Sequence, residues 1–215
     1  MFINIHSHSP ASKREFVLQN LHHHFNEVHN PGFFSVGIHP WYIERDTWQQ
    51  QLKEIQILLG KKNVLALGEC GLDRICKTDF DLQKAVFTSQ VQLANDFNKP
   101  LIIHCVRAHE EVLSILKETP VMVPVIFHGF HNKLAVAEKI LHAGHWLSFG
   151  KALHQPSMQE VLQALPLHKI FLETDDATLP IGSIYSEAAA VKNMTVDELS
   201  LQIEENFKTV FKVPV

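Results

Sequence analysis

The stretch Val64-Leu-Ala-Leu-Gly-Glu-Cys-Gly-Leu-Asp73 decides the reading of the fold. Its first part, Val64–Glu69, is a short β-rich run that ends on a carboxylate, followed by a turn and then a helical pattern. The same succession recurs along the chain, with candidate strands at Phe2–His6, Glu15–Asn20, Phe33–His39, Leu101–His104, Val123–His128, Trp146–Phe149 and Ile170–Glu173. Between them, Leu52, Ile55, Leu58 and Leu59 form one helical stripe, and Leu82, Val86, Leu93 and Phe97 form another. Shorter stripes run through Val112, Leu113 and Leu116, and through Leu134, Ala137 and Leu141. Thr195 and Glu198 have capping-box spacing ahead of Leu199, Ile203, Val210 and Phe211. Strands alternating with helices predict an α/β chain, and the number of strands predicts a TIM-type (β/α)8 barrel as a single domain over residues 1–215. One unit departs: only about eight residues, Ser7–Arg14, separate the first two strands, where a parallel crossover usually takes a dozen or more. The barrel is therefore expected to be trimmed at this corner. Either the first helix is lost and the second strand pairs differently, or Glu15–Asn20 is not a barrel strand.

Several of these runs end on a residue that can bind a metal. His6 and His8 close the first as His-Ser-His, and side chains two apart on an extended segment share a face. Glu69 ends the fourth, His104 the fifth and His128 the sixth, while Asp175 follows the last in Leu-Glu-Thr-Asp-Asp. In a β/α barrel the C-terminal strand ends gather on the face that carries the active site, so these residues are expected to converge there. Burying so many ionisable groups without a partner is costly, and a cation removes that cost. Six protein ligands exceed what one zinc site takes, which points to two divalent ions bridged by Glu69. Mixed imidazole and carboxylate ligands suit zinc, manganese or iron(II) better than magnesium. Such a pair activates water for hydrolysis and stabilises charge on the attacking and leaving oxygens. Asp175 is the expected metal-binding acceptor of the water's proton, with Glu173 and Asp176 as supporting or surface groups.

The bulk numbers exclude several alternatives. With 215 residues, 46% apolar and 20% charged, the chain has the balance of an ordinary globular protein. A net charge of −4 gives no overall basic field for nucleic acid, so a polyanion would be attracted locally, by bound cations leaving about +2 at the site. The three cysteines, Cys70, Cys76 and Cys105, have no framework spacing, which suits a reducing compartment. The sequence begins without a secretory signal and contains no apolar run of membrane-spanning length, so a cytoplasmic location is expected.

The order His-X-His, Gly-Ile-His-Pro, Gly-Glu-X-Gly-Leu-Asp, Ile-His, His and Leu-Glu-Thr-Asp resembles the TatD-related deoxyribonucleases, metal-dependent β/α-barrel hydrolases of the amidohydrolase type. The match runs from Ile3 to about Phe207 and includes Gln83, Gln90–Ala94, Lys99-Pro100 and Asn206-Phe207. The resemblance implies the same metal ligands, His6, His8, Glu69, His104, His128 and Asp175. It also implies hydrolysis of DNA phosphodiester bonds from 3′ ends, with magnesium a frequent metal. Asn4 stands where the family usually has Asp, Arg74 replaces an aromatic, Ala177 replaces a Pro, and the chain is shortened ahead of Val36. Asn4 bears on how the first His is oriented, the trimmed loops are where substrate is held, and every ligand stays in place.

Other residues admit two readings each. His39 is an extra substrate contact or a structural residue, and Arg74, Arg107, Lys133 and Lys151 are phosphate partners or solvated cations. Trp41 could stack on a base, although packing against the barrel rim is the stronger expectation. Cys70 and Cys105 read as small buried residues, and His22, His23 and His24 as a loop or solvated face. Three functions follow: a deoxyribonuclease, an amidohydrolase-type enzyme acting on a small ester, amide or phosphoester, and a binding protein with a retained metal site.

Overall fold

The computed structural model describes residues 1–10, 15–22 and 25–213. The strands are β1 (Phe2–Ser7), β2 (Glu15–Leu21), β3 (Phe33–Val36), β4 (Val64–Asp73), β5 (Leu101–Val106), β6 (Val125–Phe127), β7 (Trp146–Phe149) and β8 (Ile170–Leu172). They follow one another in sequence order in one eight-stranded sheet, the topology of the expected (β/α)8 fold. The helices are α1 (Trp48–Leu59), α2 (Phe80–Phe97), α3 (His109–Glu118), α4 (Leu134–His142), α5 (Pro156–Ala164), α6 (Ile181–Val191) and α7 (Val196–Phe211). The stripes expected over α1 to α3 and α7 face inward, through residues such as Ile55, Val86, Val112 and Ile203. In α4 the stripe is turned by one residue, burying Ile140 where Leu141 was expected.

At the corner expected to be trimmed, the described residues hold no helix, and the second strand keeps ordinary parallel pairing. Glu15–Leu21 is a strand and pairs parallel with β1, Phe2 opposite Glu15 and Asn4 opposite Val17. Among the described residues no helix lies between these strands, and the next connection carries only a 3-10 turn at Phe25–His29. Residues 11–14, 23 and 24 lie outside the described residues, and with them His23 and His24.

The chain divides into two compact units. One holds Met1–Gln19 and Phe127–Val215, the other Asn20–Ile126. In the first, β1 and β8 meet at a seam with little backbone ladder, an isolated bridge between Ser7 and Asp175. Side chains complete it. The Tyr185 hydroxyl of α6 accepts from Ile3 N at 3.0 Å and donates to Ile3 O at 2.9 Å. Asn4 Nδ2 donates to Thr174 Oγ1 at 2.8 Å, and Thr174 N donates back to Asn4 Oδ1 at 3.1 Å. Asn206 of α7 donates from Nδ2 to Leu167 O and Ile170 O at 2.8 and 2.7 Å, tying α7 to the start of β8.

In the second unit, α2 holds the ends of two strands with amides. Gln90 brackets Ile38, accepting from its N at 2.7 Å and donating to its O at 3.1 Å. Gln83 does the same at Asp73, at 2.8 and 3.0 Å. Strand β4 runs four residues past Glu69, to Asp73, because Gly71 lets β5 approach: a Cβ at Gly71, whose φ is +136°, would stand 2.1 Å from His104 O. Among the described residues, no helix is long and apolar enough to cross a membrane.

Candidate functional site

Within the first unit, four of the residues singled out from sequence lie together. His6 Nε2 and His8 Nε2 stand 3.6 and 3.3 Å from Asp175 Oδ1, and the His6 and His128 rings lie 4.1 Å apart. The backbone builds this directly: Asp175 N donates to His6 O at 3.0 Å, and His8 N donates to Asp175 O at 3.1 Å. Asp175, at φ +54°, turns its side chain back toward the two imidazoles. The ligand atoms of His6, His8 and Asp175 all lie within 4.8 Å of one another. Two ligands each about 2.1 Å from one tetrahedral ion stand about 3.4 Å apart, so the observed spacings fit a zinc-like cation. Burial works against ionisation of Asp175, but hydrogen bonds from His6 and His8 and the neighbouring imidazole charge hold its carboxyl well below the usual range.

His128 is fixed from behind. Its Nδ1 lies 3.3 Å from Oε1 of the buried Glu173, which also accepts from Gly129 N at 2.6 Å. Donation from Nδ1 leaves the Nε2 lone pair of His128 as the one that could take a metal. Glu173 thus orients the His128 ring, while Asp176 pairs at the surface with Lys151 at 2.6 Å.

The second unit gathers Glu69, His104 and His39, again with ligand atoms within 4.8 Å of one another. Asn20 fixes Glu69: its Oδ1 accepts from Glu69 N at 2.8 Å and from Ser35 Oγ at 3.2 Å, and its Nδ2 donates to Glu69 Oε2 at 3.4 Å. His104 is held between two carboxylates, Nδ1 at 2.9 Å from Glu69 Oε1 and Nε2 at 3.0 Å from Asp73 Oδ2. A neutral imidazole has one N–H and can satisfy only one of them. A second proton, or a cation between Nδ1 and Oε1, satisfies the other. His39 differs. Its Nδ1 accepts from Trp41 N at 3.1 Å, so Nε2 carries the hydrogen and donates to Glu69 Oε1 at 3.1 Å. In this tautomer His39 is a donor to Glu69 and offers no lone pair to a metal.

Asp73 belongs to this arrangement although the sequence reading passed over it. It is fully buried and accepts from Trp41 Nε1 at 2.6 Å, His104 Nε2 at 3.0 Å and Ile75 N at 2.8 Å. Burial opposes its ionisation, and the hydrogen bonds outweigh burial and lower its pKa. Asn20, Asp73 and Thr174 share one signal that could have found them: a polar residue at or beside a strand end in an otherwise apolar run.

The cations read as phosphate partners are placed differently. Arg74 pairs with Glu111 and lies over the Phe80 ring at 4.3 Å. Arg107 is exposed, at φ +51°. Trp41 does not pack inward against the rim: the residue is 54% exposed, and its indole N–H is anchored on Asp73. Burial pushes the Cys70 thiol up and the Cys105 thiol up to about 12, so both are inert small residues.

The TatD related DNase family matches over residues 13–212. The chain is 31% identical over 199 residues to the uncharacterized metal-dependent hydrolase YabD of Bacillus subtilis (strain 168), covering 84% of this chain and 78% of the relative. The crystal structure of YjjV, a TatD homolog from Escherichia coli k12, superposes with a TM-score of 0.86 at 22% identity over 99% of this chain and 98% of that one. A hydrolase of the TatD family from Entamoeba histolytica does so with a TM-score of 0.82 at 16% identity, over 98% and 97%. Both likenesses show the fold.

Proposed function

The chain belongs to the TatD related DNase family, and on that premise we propose that it is a deoxyribonuclease that hydrolyses DNA phosphodiester bonds with two divalent metal ions, removing nucleotides from 3′ ends. The observation that carries the metal part of the reading is His104, set between the carboxylates of Glu69 and Asp73. A cation held by His104 and Glu69 would satisfy what one neutral imidazole cannot. His6, His8, Glu69, His104, His128 and Asp175 are the residues that would hold the ions. The ions, zinc, manganese or magnesium, supply an activated water and charge stabilisation when bound.

The chain's own groups do the rest. Asp175, held ionised by His6 and His8, accepts the water's proton as the phosphodiester is attacked. Asn20 and His39 hold Glu69 from two sides, and Asp73 and Glu173 set the tautomers of His104 and His128. The exposed Arg107 and Arg74 are the cations placed to meet phosphate, Arg74 after release from Glu111. The protein works in the cytoplasm on this reading. A second chemistry, cleavage of a small ester, amide or phosphoester, uses the same metal ligands.

The test follows 3′-end-labelled single- and double-stranded DNA with added Mg²⁺, Mn²⁺ or Zn²⁺, alongside a metal count. Metal-dependent shortening that disappears in Glu69→Ala and Asp175→Asn is expected. Bound metal with intact DNA and turnover of small esters or amides would replace the nuclease by the second chemistry.

A further inference from the structure

We propose that Trp41 and Tyr42 form an aromatic shelf that stacks the planar base of the nucleotide being removed, an assignment that rests on the phosphodiester reading above. Large aromatic side chains are normally buried, yet Trp41 is 54% and Tyr42 38% exposed, on consecutive residues directly after His39 and Pro40. Their positions are set from below. The Trp41 indole N–H donates to the buried Asp73 carboxylate at 2.6 Å, and the Tyr42 ring stacks on His22 at 5.1 Å and 9°. A 3-10 turn over Pro40–Tyr42 fixes the backbone beneath both.

Such rings are already ordered and keep a substantial part of their surface exposed for something flat to cover. That is the property of a stacking platform, which pays its ordering cost in folding and not in binding. The shelf also stands beside the hydrolytic residues. The Trp41 ring meets His39 edge-on at 5.2 Å and His104 at 6.0 Å, and Asp73 carries both Trp41 and His104 on the same Oδ2. A nucleotide with its phosphate near His104 and Glu69 therefore has a π-face within one nucleotide's reach. Stacking does not read base identity, so the shelf favours any base over none and sets no sequence preference.

Two measurements test this. The first compares kcat/KM for oligonucleotides that differ only in the terminal residue, a normal nucleotide or an abasic tetrahydrofuran. The wild type is expected to prefer the base by about tenfold or more, and Trp41→Leu to bring the ratio close to one, while Trp41→Phe keeps part of it. The second follows tryptophan fluorescence with deoxynucleoside monophosphate or deoxyribose 5-phosphate. Quenching is expected with the former alone, and is expected to be lost in Trp41→Phe, which retains the ring but not the fluorophore. DNA cleavage with an unchanged base-to-abasic ratio in Trp41→Leu would overturn the shelf and leave the nuclease reading standing. Absence of cleavage with quenching intact would support the shelf and overturn the nuclease reading. Absence of both would overturn the shelf.

Discussion

Replacing Asp73 by Asn keeps the shape of the side chain and removes its charge, which isolates what the carboxylate does. Three donors converge on it: Trp41 Nε1 and His104 Nε2 on Oδ2, and Ile75 N on Oδ1. Hydrogen bonds to a charged acceptor contribute about 1.5–3 kcal/mol each. An asparagine has one oxygen. If it serves Ile75, the NH2 faces two donors, and if it serves Trp41 and His104, the NH2 faces Ile75 N. Either way at least one bond is lost and an N–H is set against an N–H in a fully buried place, so the expected destabilisation is about 2–4 kcal/mol. Urea unfolding with metal chelated reads this directly as a lower midpoint at unchanged slope. Metal affinity is a second readout, because His104 loses the acceptor that fixes its tautomer, and a fall of about 10–100-fold is expected. A stability change below about 0.5 kcal/mol together with unaltered metal affinity would refute the assigned role.

Other outcomes follow from the same geometry. Tyr185→Phe deletes a hydroxyl that bonds both Ile3 N and Ile3 O, and a loss of about 2–4 kcal/mol in chemical denaturation is expected. His145 is buried and its pKa is lowered to about 4, by desolvation first and then by Lys169. The unfolded chain therefore binds this proton at higher pH than the native one. Stability should fall by up to about 3 kcal/mol as pH drops from about 6.5 to about 4 and then level off, and His145→Phe should flatten that limb in denaturation series across pH. Glu69→Gln should leave the fold intact by circular dichroism, since Asn20 still meets its backbone N–H, while bound metal by atomic absorption falls by about half or more.

The sequence carried the fold further than its details. Strand identity was legible because apolar runs with β-rich composition stand out between helical stripes, and the C-terminal helix because Thr195 and Glu198 form the capping box expected of them. Helices α5 and α6 were passed over: Met158, Val161 and Leu162 make a short inward stripe, and Ala188 and Ala189 bury so little that α6 shows weak contrast between its faces. The second strand is hard to place from sequence because a parallel crossover usually needs a helix, and its parallel pairing with β1 shows that it belongs to the sheet. At the site, residues at strand ends were visible because chemistry-bearing types are rare in apolar runs. Their supports were not. Nothing in one dimension says that Asn20 faces Glu69, or that Trp41 N fixes the tautomer of His39, because those relations are made by side chains from separate strands and turns.

The seam between β1 and β8 has one more consequence. An isolated backbone bridge joins Ser7 and Asp175 there, and the neighbouring amides of Asp175 and His8 bond across it. The residues that close the sheet there are thus the residues whose imidazoles and carboxylate would hold a cation. Occupancy and closure then become a single equilibrium: an ion that binds only the closed form acts as a clasp on the chain's first and last strands. Amide exchange at His8 and Asp175 should slow in proportion to metal concentration, well beyond any change at the Tyr185 end of the same strand.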